Sequence, residues 1–183
     1  MIALIIVAVI LVLVVLYFIG VYNGLVRLRN MVKDQWAQIE VLLKRRADLI
    51  PNVVETVKGY ASHEKETLDA VISARNKAVS ANNPQDEMQA DGELSQALGR
   101  LFALTEAYPD LKANTNFMQL QTELQNTEDK IAHARQFYND AVLKYKNKIE
   151  MFPSNIVAGM FGFKPEPFFE ADEADREVPK VEF

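Results

Sequence analysis

The chain has 183 residues, a formal net charge of −5 and no cysteine. Without thiols it has no disulfides, no thiol catalysis, no Cys-ligated zinc and no lipid attachment through Cys, which fits a reducing compartment. The charge is uneven: the last 18 residues hold seven acidic and two basic side chains, the other 165 carry 18 of each, and nowhere is there the one-sided basic surface that nucleic-acid binding needs.

From Ile2 to Val21 the residues are Ile, Val, Leu, Ala, Tyr, Phe and one Gly, and no charge appears before Arg27. Such a run is long enough to cross about 30 Å of hydrocarbon as a helix. Its uncharged start, its length and the lack of a small-residue cleavage site argue for a retained signal anchor rather than a secretory signal. Arg27, Arg29 and Lys33 follow the span and none precedes it. The positive-inside rule therefore predicts an external N-terminus and a cytoplasmic remainder. Tyr17 and Tyr22 bracket the exit as interfacial rings would. Gly20 and Gly24 form a G-x-x-x-G that offers a packing face for a second anchor.

Beyond the membrane, Leu25, Leu28, Val32, Ile39, Leu42 and Leu49 keep alternating three and four spacings, as in a coiled coil, with Gln35 and Arg46 as polar interruptions. The anchor and the first bundle helix are expected to be one rod, with Trp36, Leu43 and Ile50 widening its core-facing stripe. Pro51 predicts a reversal between Asp48 and Asn52, a kink being the alternative. A second helix is expected from Asn52 to Ser80, through Val53, Val57, Tyr60, Leu68, Val71 and Ala78. Asn83, Pro84 and the acidic residues after them form a helix start. The third helix then runs to about Tyr108 on Leu94, Leu98, Leu101, Phe102 and Leu104, and Pro109 closes it. The fourth carries Phe117, Leu120, Leu124, Thr127, Ile131, Ala134, Tyr138, Ala141 and Tyr145 in strict alternation, with Asn116 and Gln119 as a capping pair.

This pattern predicts an all-α chain: a transmembrane anchor over 1–24, an antiparallel four-helix bundle over 25–151, and an aromatic-rich segment with an acidic tail over 152–183. A fourth helix returning toward the membrane delivers Phe152, Ile156, Met160, Phe161, Phe163, Phe168 and Phe169 close to the bilayer. That stretch is too short to span. It docks in the membrane interface, on the bundle or on a second subunit. The acidic end reads as a solvated tail.

Catalytic and metal motifs fail one by one. His63-Glu64 begins an H-E-x-x-H, but its last position is Thr67; the E-x-x-H that would use His133 has Lys130 in place of Glu. The seven glycines form no phosphate-cradling loop or nucleophile elbow. No catalytic, metal or cofactor residue is therefore expected. The cluster Lys44, Arg45 and Arg46 reads as i,i+4 pairing with Glu40 and Asp48. Thr127, Glu128, Arg135 and Asn139 suggest a register-setting polar network with Arg75 and Asn76.

The blocks Tyr22-Asn-Gly-Leu-Val26, Trp36, Leu43-Lys-Arg-Arg-Ala-Asp-Leu-Ile-Pro-Asn52, Val57-Lys-Gly-Tyr-Ala61, His63-Glu64, Phe137-Tyr-Asn139, Phe152-Pro-Ser-Asn155 and Phe161-Gly-Phe163 resemble the LemA family of membrane-anchored bacterial proteins. The resemblance implies a single N-terminal anchor before an antiparallel helical bundle. It implies no catalytic activity, cofactor or substrate, and its hints of envelope maintenance and membrane organisation are associations. The expectation is a non-catalytic scaffold that contacts lipid and self-associates at the cytoplasmic face of the bacterial inner membrane. The alternative is an adaptor or regulator of another membrane protein such as a protease, docking through the bundle or the Val178 to Phe183 end.

Overall fold

The structure, a computed structural model, describes residues 1–169; every element among them is an α-helix and none is a strand. The helices are α1 (Ile2–Lys58), α2 (Lys65–Ser80), α3 (Pro84–Thr105), α4 (Pro109–Lys112), α5 (Thr115–Glu150) and α6 (Ser154–Met160). The acidic tail from Glu170 onward lies outside the described residues.

The apolar run and the first amphipathic stripe are one helix, as their shared periodicity predicts, but the expected reversal at Pro51 does not occur. Pro51 lies inside α1. A proline in a helix leaves the carbonyl four residues back without its N–H. Here that carbonyl belongs to Ala47, and the Arg75 Nε of α2 donates to it at 3.0 Å. A long-range side chain replaces the donor that the proline removed, and the helix runs on to Lys58. Val53 and Val57, expected in the second helix, are therefore buried residues of α1. The chain turns instead after Gly59, where the Tyr60 and Ala61 amides both donate to the Val57 carbonyl at 3.0 and 2.8 Å. Tyr60, expected on a buried face, is exposed in that turn and accepts from Asn114 Nδ2 at 2.9 Å.

The start of α3 follows the sequence reading: Asn83 Oδ1 accepts from the Asp86 amide at 2.9 Å and Pro84 takes the first turn. Pro109 does not merely close α3. That helix ends at Thr105, and Pro109 opens the short α4. The cap of α5 also differs from the expected Asn116 and Gln119 pair, because Asn114 Oδ1 accepts from the Phe117 amide at 3.0 Å. Asn114 stands just before the first helical residue, where a side-chain acceptor reaches a free N–H.

The chain divides into two compact units, to each of which α1 and α5 contribute a part. One comprises Met1–Ala37 and Gln136–Phe168; the other holds Gln38–Arg135 and Phe169. In the second unit α2 packs on α3, around an aliphatic core that includes Ile50, Val57, Val71, Leu101, Leu111 and Leu124. In the first unit aromatic rings are buried among aliphatic side chains such as Leu25, Val32 and Val142. Trp36 and Tyr138 meet edge to face with centroids 5.3 Å apart, and Tyr145 and Val157 are fully buried.

The end of α6 is a Schellman turn. The Phe163 amide donates to the Ala158 carbonyl at 3.0 Å, the Gly162 amide to Gly159 at 3.4 Å, and Gly162 has φ +69°. This left-handed residue is the one place in Phe161-Gly-Phe163 where a glycine is required.

Candidate functional site

Two sites are built from the polar and aromatic residues, one in each unit. In the unit of Met1–Ala37 and Gln136–Phe168, the Phe161 and Phe163 rings flank Tyr22, with centroids 4.8 and 5.6 Å from it. Tyr22 directly follows the apolar run. Arg29 lies over Phe163, its Cζ 5.1 Å from the ring centroid, and Lys146 is 5.7 Å from the Phe168 centroid, both within cation–π range. Tyr138 donates from its hydroxyl to the Pro167 carbonyl at 2.8 Å. Burial, with the nearby Glu166 carboxylate adding to it, pushes the Tyr138 phenol up to about 12. The Tyr145 phenol is also raised, by burial first, with Arg29 opposing.

The aromatic-rich segment therefore splits. Phe163 is 8% exposed and packs on its own chain, whereas Phe152 is 79% and Met160 67% exposed, with Ile156 and Phe161 also facing out. The α6 helix is held at its start by Ser154, whose hydroxyl lies 2.7 and 2.8 Å from the Lys148 and Met151 carbonyls at the end of α5. Gly20 and Gly24 border open space, since a Cβ at either would meet nothing within 4 Å.

In the second unit, Asp91 of α3 sits between two guanidinium groups, Arg46 of α1 and Arg135 of α5, and pairs with both. Arg46 Nη1 also donates to Glu128 Oε1 at 2.9 Å and to Ser95 Oγ at 3.0 Å. Two cations face two anions, so the cluster is neutral. Arg46 and Asp91 are each 1% exposed, and burial of this kind is tolerated only where the charges are paired; the Arg46 Nε alone of that side chain has no hydrogen-bond partner among the described residues. Phe169 is buried with Arg135 stacked over its ring, at 4.4 Å. The expected polar network of Glu128 and Arg135 thus exists, but its partners are Arg46 and Asp91; Arg75 serves Ala47 and reaches Asn76 at 3.3 Å.

Asp91 is the residue that sequence reasoning missed, and Arg46, read there as part of an i,i+4 paired cluster, is instead buried. Arg46 holds a core position of the α1 stripe, and Asp91 lies three and seven residues before Leu94 and Leu98, on the same buried face. An acid and a base each on an apolar stripe were the available signal. The rest of the basic cluster is ordinary surface pairing: Lys44 with Asp48 at 3.0 Å and Arg45 with Glu123 at 2.9 Å. His63 and His133 are exposed, and among the described residues no three His, Asp or Glu side chains gather as a metal site would require. A groove of about 590 Å³ runs between the end of α1 and α2, floored by Ile50, Val54, Leu68 and Ile72.

The LemA family profile matches residues 35–183. A protein named LemA from Metamycoplasma hominis is 28% identical over 160 residues, covering 87% of this chain and 73% of its own. Magnetosome protein MamQ 2 of Paramagnetospirillum magneticum is 28% identical over 179 residues, covering 84% of this chain and 66% of that protein. Magnetosome protein MamQ of Magnetospirillum gryphiswaldense is 25% identical over 174 residues, covering 81% and 64%. The chain thus spans just under two thirds of its magnetosome relatives. The profile covers most of the sequence, including the buried Arg46 and Asp91, the half-buried Arg135 and the Schellman glycine, and on that match the chain belongs to the LemA family.

Proposed function

We propose that this protein is a non-catalytic, single-pass scaffold of the bacterial inner membrane, with its N-terminus outside and an antiparallel bundle in the cytoplasm that assembles with further copies. One observation carries the reading: the most apolar 18-residue window of α1 has none of its residues buried within the chain. A surface of that length and composition needs a bilayer around it. The short connections at 59–64 and 81–83 support the antiparallel course. The open faces at Gly20 and Gly24 suit close packing of two anchors. Two of the relatives are named magnetosome proteins, and a role in membrane organisation is our reading of that likeness.

The test is the mass and shape of the protein extracted gently from native membranes, with crosslinked neighbours identified. A large regular particle containing this chain alone is the expected result. A small particle carrying a second protein overturns the scaffold in favour of an adaptor, a reading supported by the open groove between the end of α1 and α2. The other candidate docking element, Val178 to Phe183, lies outside the described residues.

A further inference from the structure

We propose that α6 and its flanks are an interfacial lipid-binding element, with Phe152, Ile156, Met160 and Phe161 seated in the bilayer interface beside the point where α1 leaves the membrane. The proposal rests on reading α1 as a span.

Three observations carry it. The first is position. Phe161 touches Tyr22 with centroids 4.8 Å apart, and Tyr22 ends the apolar run, where an amphipathic ring marks the headgroup level. The contact lies within one compact unit, so the depth of α6 is tied to the exit of the span.

The second is composition. From Met151 to Phe163 there is no charged residue, and α6 is apolar on two faces. Val157 and Ala158 face the chain and are buried, while Ile156 and Met160 point away and are exposed. A soluble surface helix has a polar outer face; here the exposed side chains of α6 are Ile156 and Met160 with the uncharged Asn155, flanked by Phe152 and Phe161, which suits the headgroup–acyl boundary.

The third is that the exposure is imposed. Ser154 fixes the start of α6, and the left-handed Gly162 reverses the chain at its end. Phe163 is thereby sent inward under Arg29, leaving Phe161 on the outside. Two phenylalanines separated by one glycine have opposite fates, and the outward one has the membrane beside it.

The absence of cysteine makes single-site labelling direct. Full-length Met160→Cys and, separately, Ile156→Cys are spin-labelled and placed at one chain per nanodisc of phosphatidylethanolamine and phosphatidylglycerol. Collision with a water-soluble paramagnetic chelate is then compared with labels at Leu11→Cys in the span and at the exposed Asp140→Cys. Protection of both α6 labels by about tenfold relative to Asp140→Cys, approaching Leu11→Cys, is the expected result. Labels that are open in single-chain discs and protected only in multi-chain vesicles would mean that a second copy covers α6, which overturns the proposal; so does full accessibility in both. An accessible Leu11→Cys label overturns it through its premise. Scaffold assembly fails separately, since a small native particle with protected α6 labels refutes assembly and leaves lipid docking standing.

Discussion

The unit of Gln38–Arg135 buries charge, with Asp91 paired to Arg46 and Arg135, and has a largely aliphatic core. The unit of Met1–Ala37 and Gln136–Phe168 instead buries aromatic rings among aliphatic residues, and its most apolar segments, the start of α1 and the Ile156 and Met160 side of α6, are exposed. The difference teaches where each unit finds its solvent. In the former, the buried charges find their counter-charges within the chain; in the latter, a long apolar surface stays exposed, as the proposed membrane setting requires.

The sharpest way to break that contrast is to disturb the buried charges. Asp91→Ala leaves two guanidinium groups facing each other and is expected to cost about 3–5 kcal/mol, read as a lower denaturation midpoint of the purified full-length protein. Replacing Arg46 and Asp91 together by Met and Leu should cost far less, since Glu128 and Arg135 retain opposite charges. Equal losses in the two variants would show that the cluster does not act as a pair.

Next comes the proline repair in the same unit. Arg75→Ala strands the Ala47 carbonyl and should cost about 1–3 kcal/mol. In a Pro51→Ala background the residue 51 amide can serve that carbonyl, and the Arg75→Ala penalty should shrink. A double-mutant cycle with no coupling would refute the link.

In the aromatic unit, Gly162→Ala forces a side chain into the left-handed region and is expected to cost about 1–2 kcal/mol. Because the turn aims Phe163 at Tyr22 and Arg29, the same change should expose Phe163, which hydrogen exchange at the end of α6 would detect. An unchanged midpoint and exchange pattern would refute this account.

Alkaline titration probes the same unit. The folded state holds the Tyr138 proton up to about 12, whereas an unfolded tyrosine releases it near 10. The resulting stabilisation is therefore complete below about pH 10 and is lost as pH rises through about 12. Absorbance of the phenolates should show a late component that Tyr138→Phe removes.

The smallest effect concerns Tyr145. Its buried hydroxyl has no hydrogen-bond partner among the described residues, so Tyr145→Phe should be neutral or stabilising by up to about 1 kcal/mol. Tyr138→Phe, which gives up the bond to Pro167, should destabilise, and reversal of that order would disprove the assignment of the two hydroxyls.

The legible parts were periodic or local. The three and four spacings of α5 correspond to buried Phe117, Leu124, Thr127, Ile131, Tyr138 and Tyr145, and the Asn83-Pro84 start of α3 is a local hydrogen bond that short-range chemistry dictates. The misreadings came from local rules overridden at a distance. Pro51 is a breaker by its own chemistry, but a guanidinium 24 residues on supplied the missing donor. Asn116 has the chemistry of a cap, but the helix begins at Thr115, two residues earlier than a cap at 116 implies, which gives the role to Asn114.

By itself the sequence determined that the chain is helical, that its beginning is long and apolar enough to cross a bilayer, and that its amphipathic stripes bury one face. These follow from composition and repeat, which act residue by residue. Tertiary structure alone decided which charges go inside, where α1 ends, and which phenylalanines of the C-terminal segment are hidden. Each of those depends on a partner distant in sequence: Asp91 for Arg46, Arg75 for Ala47, Tyr22 for Phe163. Spacing along one helix specifies a face, but it does not specify what that face will meet.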